Sequence, residues 1–520
     1  MTGDQGRRRA PGVGSEGSRG DARRDRGGRE RGPARAAGQQ QRTAAAPSAR
    51  RKGADVPRGV AFDVLRAVAA SDSYANLVLP PMLRDRGLQG RDAGFTTELA
   101  YGTLRLHGRY DAIIELCAAR SADSIDGPVL DLLRLGVHQL LGMRVPAHAA
   151  VSETVGLTRE RVGTGASQFV NAVLRAVSKV PLETWLERIG DTADPDGTDP
   201  LARLAVTQSH PAWIVRAMRE ALVGAGRTAD ELPALLEADN APPHVTLVAR
   251  PGLVTTSELA STPAAAASHP GRWASTALVL DGGDPAALDA VRDGRAGVQD
   301  EGSQLVTLAL ADAPVDGPDE RWLDLCAGPG GKAALLGALA AQRGARLVAN
   351  EVLPHRARLV EHALAALPAD AVEAVRTGDG RTLGEEEPGA YDRVLVDAPC
   401  TGLGALRRRP ESRWRRTPAD LAVLGDLQRA LLTSGLQAVR PGGVVAYVTC
   451  SPHLAETQLV VKDVLRAAAR RGDAIEVVDA RETLRSLAPG LELADRPDVQ
   501  LWPHVHGTDA MHLTLLRRKA

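Results

Sequence analysis

The sequence predicts a multidomain chain, all-α in its front half and built on an open, mostly parallel α/β sheet behind. Three observations lead there. At 520 residues the chain has room for several domains, since single domains run about 100–200 residues. From Arg58 to about residue 182, apolar residues recur at helical spacing. From about residue 298, short β-like runs open onto loops carrying Gly, Pro, Cys or acids and alternate with helical stretches.

Each segment has its own reason. Residues 1–55 hold fourteen Arg or Lys against six acids, with Gly, Ala and Gln filling most of the rest. Too little is apolar to fold, so 1–57 reads as a disordered basic tail. Attraction to RNA phosphates and a merely solubilising role are equally open readings of it. In 58–182, Val60, Val64, Leu65 and Val68 keep helical spacing, as do Ile113, Ile114 and Leu116. Leu130, Leu132, Leu133, Leu135, Val137, Leu140 and Leu141 follow, and Gly and Pro separate the segments, so a helical bundle is expected. Residues 183–200, rich in Asp, Gly and Thr, read as a linker, and 209–222 resume a helix; 183–242 is thus linker and connector helices. From His244-Val245-Thr246-Leu247-Val248 onward, short strands and Pro-rich turns give a small α/β subdomain over 243–297, expected to contact RNA. Residues 298–520 form the last domain.

The chemistry sits in that last domain. Trp322-Leu323-Asp324-Leu325 leads into Cys326-Ala327-Gly328-Pro329-Gly330-Gly331-Lys332, and Lys332 to Gln342 reads as a helix. A Walker A loop would need Gly at 326 and Ser or Thr at 333, where Cys326 and Ala333 stand, and no GxGxxG is present. Glu351, after the strand-like 346–350, is placed to bind ribose hydroxyls. Asp379 follows a third strand and can accept from an adenine amine. Acids suit a sulfonium cofactor, which has no phosphates to repel them. Arg393-Val394-Leu395-Val396 leads to Asp397-Ala398-Pro399-Cys400, and 444–448 leads to Thr449-Cys450-Ser451-Pro452. In an open α/β sheet ligands bind beyond the carboxyl ends of the strands, so these loops are expected to share one crevice.

A cofactor loop, an acid and two thiols are what carbon methylation of a pyrimidine requires. Cytosine carbon 5 is a poor nucleophile until a thiolate adds at carbon 6 and makes the ring enamine-like. Such covalent catalysis divides one hard step into easier ones. The thiolate is the reactive form, so its surroundings should be partly open and electropositive.

The stretches DLCAGPGGKA (324–333), HRARLVEHAL (355–364), VDAPCTGLGALRRRPESRW (396–414) and YVTCSPHLAE (447–456) resemble the RNA 5-methylcytosine methyltransferases of the RsmB/NOP2/Sun family. VQDEGSQ (298–304) is similar to that family's motif just ahead of the catalytic domain. In the front half, AYGTLRLHGRYD (100–111), LRLGVHQLLGM (133–143), PAHAAVSETV (146–155) and FVNAVLRAV (169–177) resemble the NusB-like RNA-binding domain. That domain precedes the catalytic one in the bacterial branch acting on small-subunit ribosomal RNA.

The resemblance implies a NusB-like all-α domain over 58–182 and a Rossmann-like class I methyltransferase domain over 298–520. It implies S-adenosylmethionine as cofactor, held by Cys326, Ala327, Gly328, Pro329, Gly330, Gly331, Lys332, Glu351, Arg356, Asp379 and Asp397. A Pro-Cys pair alone would nominate Cys400 as nucleophile, as in DNA cytosine methyltransferases. The RNA family implies Cys450 instead, with Cys400 assisting product release and Asp397 orienting the base. The substrate implied is 16S ribosomal RNA, before or during small-subunit assembly, at cytosine 967 in the usual bacterial numbering. Ala333 stands where the family often has Thr, and Ala510 where it often has Gly.

Other side chains carry narrower expectations. Cys326 supplies backbone and packing rather than chemistry. Lys332, a Lys in a chain that favours Arg, points to a specific contact. Arg407, Arg408, Arg409, Arg413, Arg415 and Arg416, interleaved with Trp414 just after Cys400, read as a phosphate and base clamp. The chain has four cysteines and no CxxC, so neither a zinc site nor a disulfide framework is expected. No apolar run approaches the ~20 residues of a membrane span, and the start lacks the apolar core of a secretory signal. A cytoplasmic monomer with RNA as partner, no metal and no membrane contact is the expectation. A non-catalytic RNA-binding or antitermination factor is one alternative, against which Cys450, Cys400 and Asp397 stand together. Methylation of another RNA such as tRNA, of DNA or of a small molecule is the other; the NusB-like front and basic tail disfavour the last two.

Overall fold

A computed structural model describes residues 55–71 and 73–519. The basic tail expected over 1–57 therefore lies, except for its last three residues, outside the described residues. Asp55 caps the first helix by accepting from Arg58 N at 3.2 Å. Eight helices follow one another: α1 (Val56–Ala70), α2 (Ala75–Asp85), α3 (Gly90–Arg105), α4 (His107–Ala118), α5 (Gly127–Leu141), α6 (Ala147–Arg161), α7 (Thr164–Val177) and α8 (Leu182–Ala193). α5 is apolar nearly all round because it runs between two cores. Its Leu132 and Leu135 join Val64, Leu65 and Leu99, while its Leu130, Leu133 and Val137 join Ile113, Ile114 and Leu174.

The linker expected at 183–200 is instead helical over its first half. In α8, Trp185 and Ile189, four residues apart, bury into the core of α4, α5 and α7, and Trp185 Nε1 donates to Val177 O at 3.2 Å. The Asp and Thr content suggested a loop; the i, i+4 apolar pair decides for a helix. α9 (Pro200–Thr207), α10 (Ala212–Gly224) and α11 (Leu232–Asn240) then form a connector with its own core. β1 (Val245–Ala249), β2 (Ser268–Pro270), β3 (Ala277–Leu280) and β4 (Ala296–Val298) make a small antiparallel sheet in the order β2-β3-β1-β4.

The larger sheet contains β5 (Arg321–Asp324), β6 (Arg346–Glu351), β7 (Val372–Thr377), β8 (Tyr391–Asp397), β9 (Val439–Thr449), β10 (Ile475–Val478), β11 (Val499–Gln500) and β12 (His512–Arg518). Its order is β10-β12-β9-β8-β5-β6-β7, with β11 paired to β12. β7, β6, β5, β8 and β9 are parallel, whereas β12 is antiparallel to both β9 and β10. Residues 444–448 and 394–396 are buried on both faces, as strands covered by helices on either side must be. The chain runs outward from β5 through β6 to β7, then returns to β8 on the other side of β5. This reversal opens a crevice at the carboxyl ends of β5 and β8. No described helix is long and apolar enough to cross a membrane.

Candidate active site

The loop after β5 is shaped around Glu351. Asp324 Oδ1 accepts from Cys326 N at 3.2 Å, and Ala327 N donates to Asn350 O at 2.8 Å, so the chain turns sharply over the end of β6. Gly328 N donates to Glu351 Oε2 at 3.1 Å, and a Cβ on Gly328 would come within 2.1 Å of that oxygen. Gly330 has φ +111° and packs so close to Ala363 that a side chain would collide, which is why this position takes glycine. Pro329 follows Gly328 through a cis bond, and Gly331 and Lys332 open the helix Gly331–Gln342. Arg356 Nη2 donates to Gly328 O at 2.6 Å and its other terminal nitrogen lies 3.6 Å from Glu351. Glycine backbone beside a carboxylate fits a neutral ribose and a cationic ligand better than a triphosphate.

Asp379 stands apart from this group. It is chelated by Arg381, whose Nε and Nη2 both donate to it, and this ion pair holds its carboxyl below the usual range. Its loop is tied to the site by Asn350, whose Nδ2 donates to Leu325 O and to Gly378 O, both at 3.1 Å. Asn350 is a residue that sequence reasoning passed over, because an Asn at a strand end reads as an ordinary turn former.

The loops after β8 and β9 bring the two thiols to 3.4 Å. Lys332 Nζ reaches across from the cofactor loop and donates to Asp397 Oδ2 at 2.9 Å. Burial opposes the Lys332 charge, but Asp397 raises its pKa above the ordinary lysine value. The thiols are unequal. The hydrogen bond to Cys400 lowers the Cys450 pKa, helped by the charges of Lys332 and Arg409 against burial and Asp397. The same bond, with burial and the charges of Cys450 and Glu456, pushes Cys400 well up. Lys332 and Arg409 thus favour a negative charge on Cys450, and Glu456 disfavours one on Cys400. Cys326 is different again: burial and the nearby acids Asp324, Asp397 and Glu351 push it well up, which suits packing and not chemistry.

Glu456, wholly buried, ties the two thiol loops to each other. Its carboxylate accepts from Thr401 N at 2.8 Å, Ser451 Oγ at 2.7 Å, Gln428 Nε2 at 3.2 Å and the Thr401 hydroxyl. Thr401 follows Cys400 and Ser451 follows Cys450. Sequence reasoning quoted Glu456 as the end of a motif and gave it no task; its signal was a lone acid in an otherwise apolar and small-residue stretch. Asp324 was passed over likewise. Its Oδ2 is buried without a partner, and burial, with repulsion from Asp397, raises its carboxyl to about 8.

The arginine run after Cys400 does not form an exposed clamp. Arg413 is 0% exposed. Arg407 and Arg408 pair with Asp300 and Asp509 inside the protein. Arg415 donates to Val68 O, Ser71 O and Ser73 O at 2.7–3.1 Å. Trp414 lies against Gly108 with its ring 5.0 Å from that of His107. The clamp expected from sequence is thus corrected: Arg413, Trp414 and Arg415 face the front half of the chain, and Arg407 and Arg408 are held by acids of the catalytic half. Arg409 alone of the run is strongly exposed near the thiols, its guanidinium 5.1 Å from the Tyr74 ring.

Comparisons with known proteins agree with this arrangement. A family model described as 16S rRNA methyltransferase RsmB/F matches residues 309–517, and a model of the NusB family matches 55–179. A Mycobacterium tuberculosis chain, described only as a candidate methyltransferase, is 51% identical over 469 residues, covering 90% of this chain and 98% of its own. Ribosomal RNA small subunit methyltransferase B of Pseudomonas putida is 32% identical, with 78% of this chain and 88% of that one covered. Its Vibrio cholerae counterpart is 31% identical, with 83% and 95% covered. The crystal structure of PH0851 shares the fold with a TM-score of 0.70 at 20% identity, over 89% of this chain and 99% of that one. With a NusB domain ahead of an RsmB/F domain and such identity along nearly the whole of its relatives, the chain belongs to the RsmB family of S-adenosylmethionine-dependent RNA methyltransferases.

Proposed function

We propose that this protein methylates carbon 5 of a cytosine in 16S ribosomal RNA, by family resemblance cytosine 967 in the usual bacterial numbering, through a covalent bond to Cys450. The single observation that carries the reading is the pair of thiols, 3.4 Å apart, beside the Lys332–Asp397 ion pair. S-adenosylmethionine, when bound by the 326–332 loop and Glu351, supplies the methyl group. The Cys450 thiolate forms a bond to carbon 6, and the displaced ring electrons make carbon 5 nucleophilic. Asp397 orients the base by accepting from its exocyclic amine, next to ring nitrogen 3, while Lys332 fixes the carboxylate. After methyl transfer the carbon 5 proton leaves to a base, the carbon–sulfur bond breaks and Cys450 departs as thiolate. Cys400 is placed to assist that departure. A cytoplasmic site of action follows from the substrate, and the NusB-like front is read as the RNA-binding module.

Two variants test the assignment. Cys450→Ala is expected to bind cofactor yet form no protein–RNA adduct and no product. Cys400→Ala is expected to attack and methylate but release slowly, and to accumulate as a covalent complex that survives denaturing electrophoresis. The opposite pattern overturns the assignment of roles. No adduct with either variant, or with RNA bearing 5-fluorocytosine, overturns the covalent route. A paired base hides carbon 6, so the target must be unpaired or extruded. Free or partly assembled small-subunit RNA should therefore outperform the finished subunit in a methyl-incorporation assay; the reverse preference, or preference for tRNA, overturns the substrate.

A further inference from the structure

The segment that follows Cys400 has no core of its own. Leu403 and Leu406 are wholly buried among Ile214, Met218, Leu236 and Trp502, that is, largely in the connector. Between them Gly404 N donates to the Cys450 carbonyl at 2.8 Å, and Gly404 O accepts from Ala510 N at 2.8 Å. A Cβ at Gly404 would lie 2.3 Å from Ala510 O, so the backbone approach requires glycine.

The far end of the segment caps helices of the front half, with the right sign at each terminus. The last carbonyls of a helix lack partners and carry partial negative charge; the first amides are the reverse. Arg413 Nη1 donates to Arg105 O at the end of α3 (2.9 Å), to Ser209 O (3.2 Å) and to Asn240 Oδ1 (2.7 Å), and its Nη2 donates to Asp239 O at the end of α11 (2.7 Å). Arg109 N, which would otherwise take the Arg105 carbonyl, donates to Ser209 Oγ. Arg415 caps the end of α1 through Val68 O and Ser71 O. Glu411 Oε1 accepts from Ala75 N, the first amide of α2, at 2.9 Å, where Tyr74 offers no side-chain cap.

We infer that residues 403–415 are a strap by which the helical domain and connector set Cys400 against Cys450, with Arg413 as its positioning residue. Neither end of the strap is held by the sheet that carries the thiols alone. A guanidinium with four acceptors in different directions fixes the strap in a way that an ammonium cannot match. The front half thus enters the chemistry as part of the frame of the active site, in addition to binding RNA. Only the turnover arm of the test rests on the proposed role of Cys450; the thiol arm does not.

The experiment uses the full chain with Arg413→Gln, Arg413→Lys and Gly108→Ala. The last pushes the strap from outside, since a Cβ on Gly108 would lie 2.3 Å from the edge of the Trp414 ring, which packs against His107 and is partly exposed. Alkylation of Cys450 by iodoacetamide is followed against pH by mass spectrometry of its own peptide, beside kcat, KM for RNA, cofactor affinity and Tm. Arg413→Gln is expected to raise the pH midpoint of Cys450 alkylation and to lower kcat about tenfold or more, as small misplacements of reacting groups do. Cofactor affinity should stay within about twofold, since the cofactor loop is not touched. Arg413→Lys should recover part of both effects, and Gly108→Ala should show a smaller shift of the same sign. If Arg413→Gln does not fold, Arg413→Lys and Gly108→Ala carry the test. A fallen Tm with an unmoved Cys450 midpoint in the folded variants overturns the strap. A moved midpoint with unchanged kcat leaves the strap standing and overturns Cys450 as the attacking thiol.

Discussion

The two halves of the active site are held in opposite ways. The cofactor loop 326–332 is fixed by neighbours in its own sheet: Asp324 below it, Asn350 and Glu351 at the end of the next strand, Arg356 one turn into the following helix. The Cys400 loop is fixed by Glu456 on one side and by helices more than 150 residues upstream on the other. Cofactor binding is a local property of this fold, whereas thiol placement is a property of the whole chain. The difference predicts that damage to each half is read by a different assay.

The largest expected effect breaks the thiol half alone. Glu456→Ala removes the acceptor shared by Thr401 N, Ser451 Oγ and Gln428 Nε2 and leaves the buried Thr401 N unpaired, at about 1–3 kcal/mol. With both thiol loops released, methyl transfer should fall by about a hundredfold or more, as loss of near-attack geometry does. Cofactor affinity measured by calorimetric titration should hardly change. A parallel loss of cofactor binding would show that the two halves are not separately held.

The converse change sharpens the same contrast. Glu351→Ala should remove a ribose contact and the partner of Gly328 N, costing about 1.5–3 kcal/mol if the bonds to ligand are charge-assisted. That is roughly a ten- to hundredfold weaker titration with S-adenosylmethionine. The reactivity of Cys450 toward iodoacetamide should stay as it was. Unaltered cofactor affinity would mean that this acid does not face the ribose.

The same division explains what the sequence made legible. The glycine loop, Glu351, Asp397 and the thiols each stand within a few residues of a strand end, so a strand–loop–helix reading finds them without knowing any long-range contact. The arginines after Cys400 had the opposite fate. A run of charge reads as a solvated or RNA-facing surface, and nothing near Arg413 in sequence marks its acceptors, three of which are backbone carbonyls at Arg105, Ser209 and Asp239 and the fourth Asn240 Oδ1. Backbone carbonyls have no residue type, so no pattern of side chains could reveal them. Residues 183–193 failed for a simpler reason: composition favoured a loop, while only the spacing of Trp185 and Ile189 recorded the helix.

A last effect, read as stability against pH and not as activity, concerns Asp324, beneath the cofactor loop. Burial first, and repulsion from Asp397 second, raise its carboxyl from the ordinary value of 3.8 to about 8. Below pH 3.8 the folded and unfolded states both hold this proton, so the group then leaves stability unchanged with pH. Between 3.8 and about 8 the unfolded chain releases the proton and the folded chain keeps it, so stability falls steadily as pH rises; above about 8 the loss is complete. Asn cannot ionise, and it keeps an oxygen to accept from Cys326 N. Asp324→Asn should therefore gain stability relative to the parent protein as pH climbs from 4 to 8, whatever offset the substitution carries. Urea unfolding across that range reads the difference directly. A flat difference would mean that the buried carboxyl is already ionised in the folded protein, its charge balanced by Lys332. The cofactor loop would then owe its shape to an ion network shared with Asp397, and the Lys332–Asp397 contact would couple the two halves of the site in energy as well as in geometry.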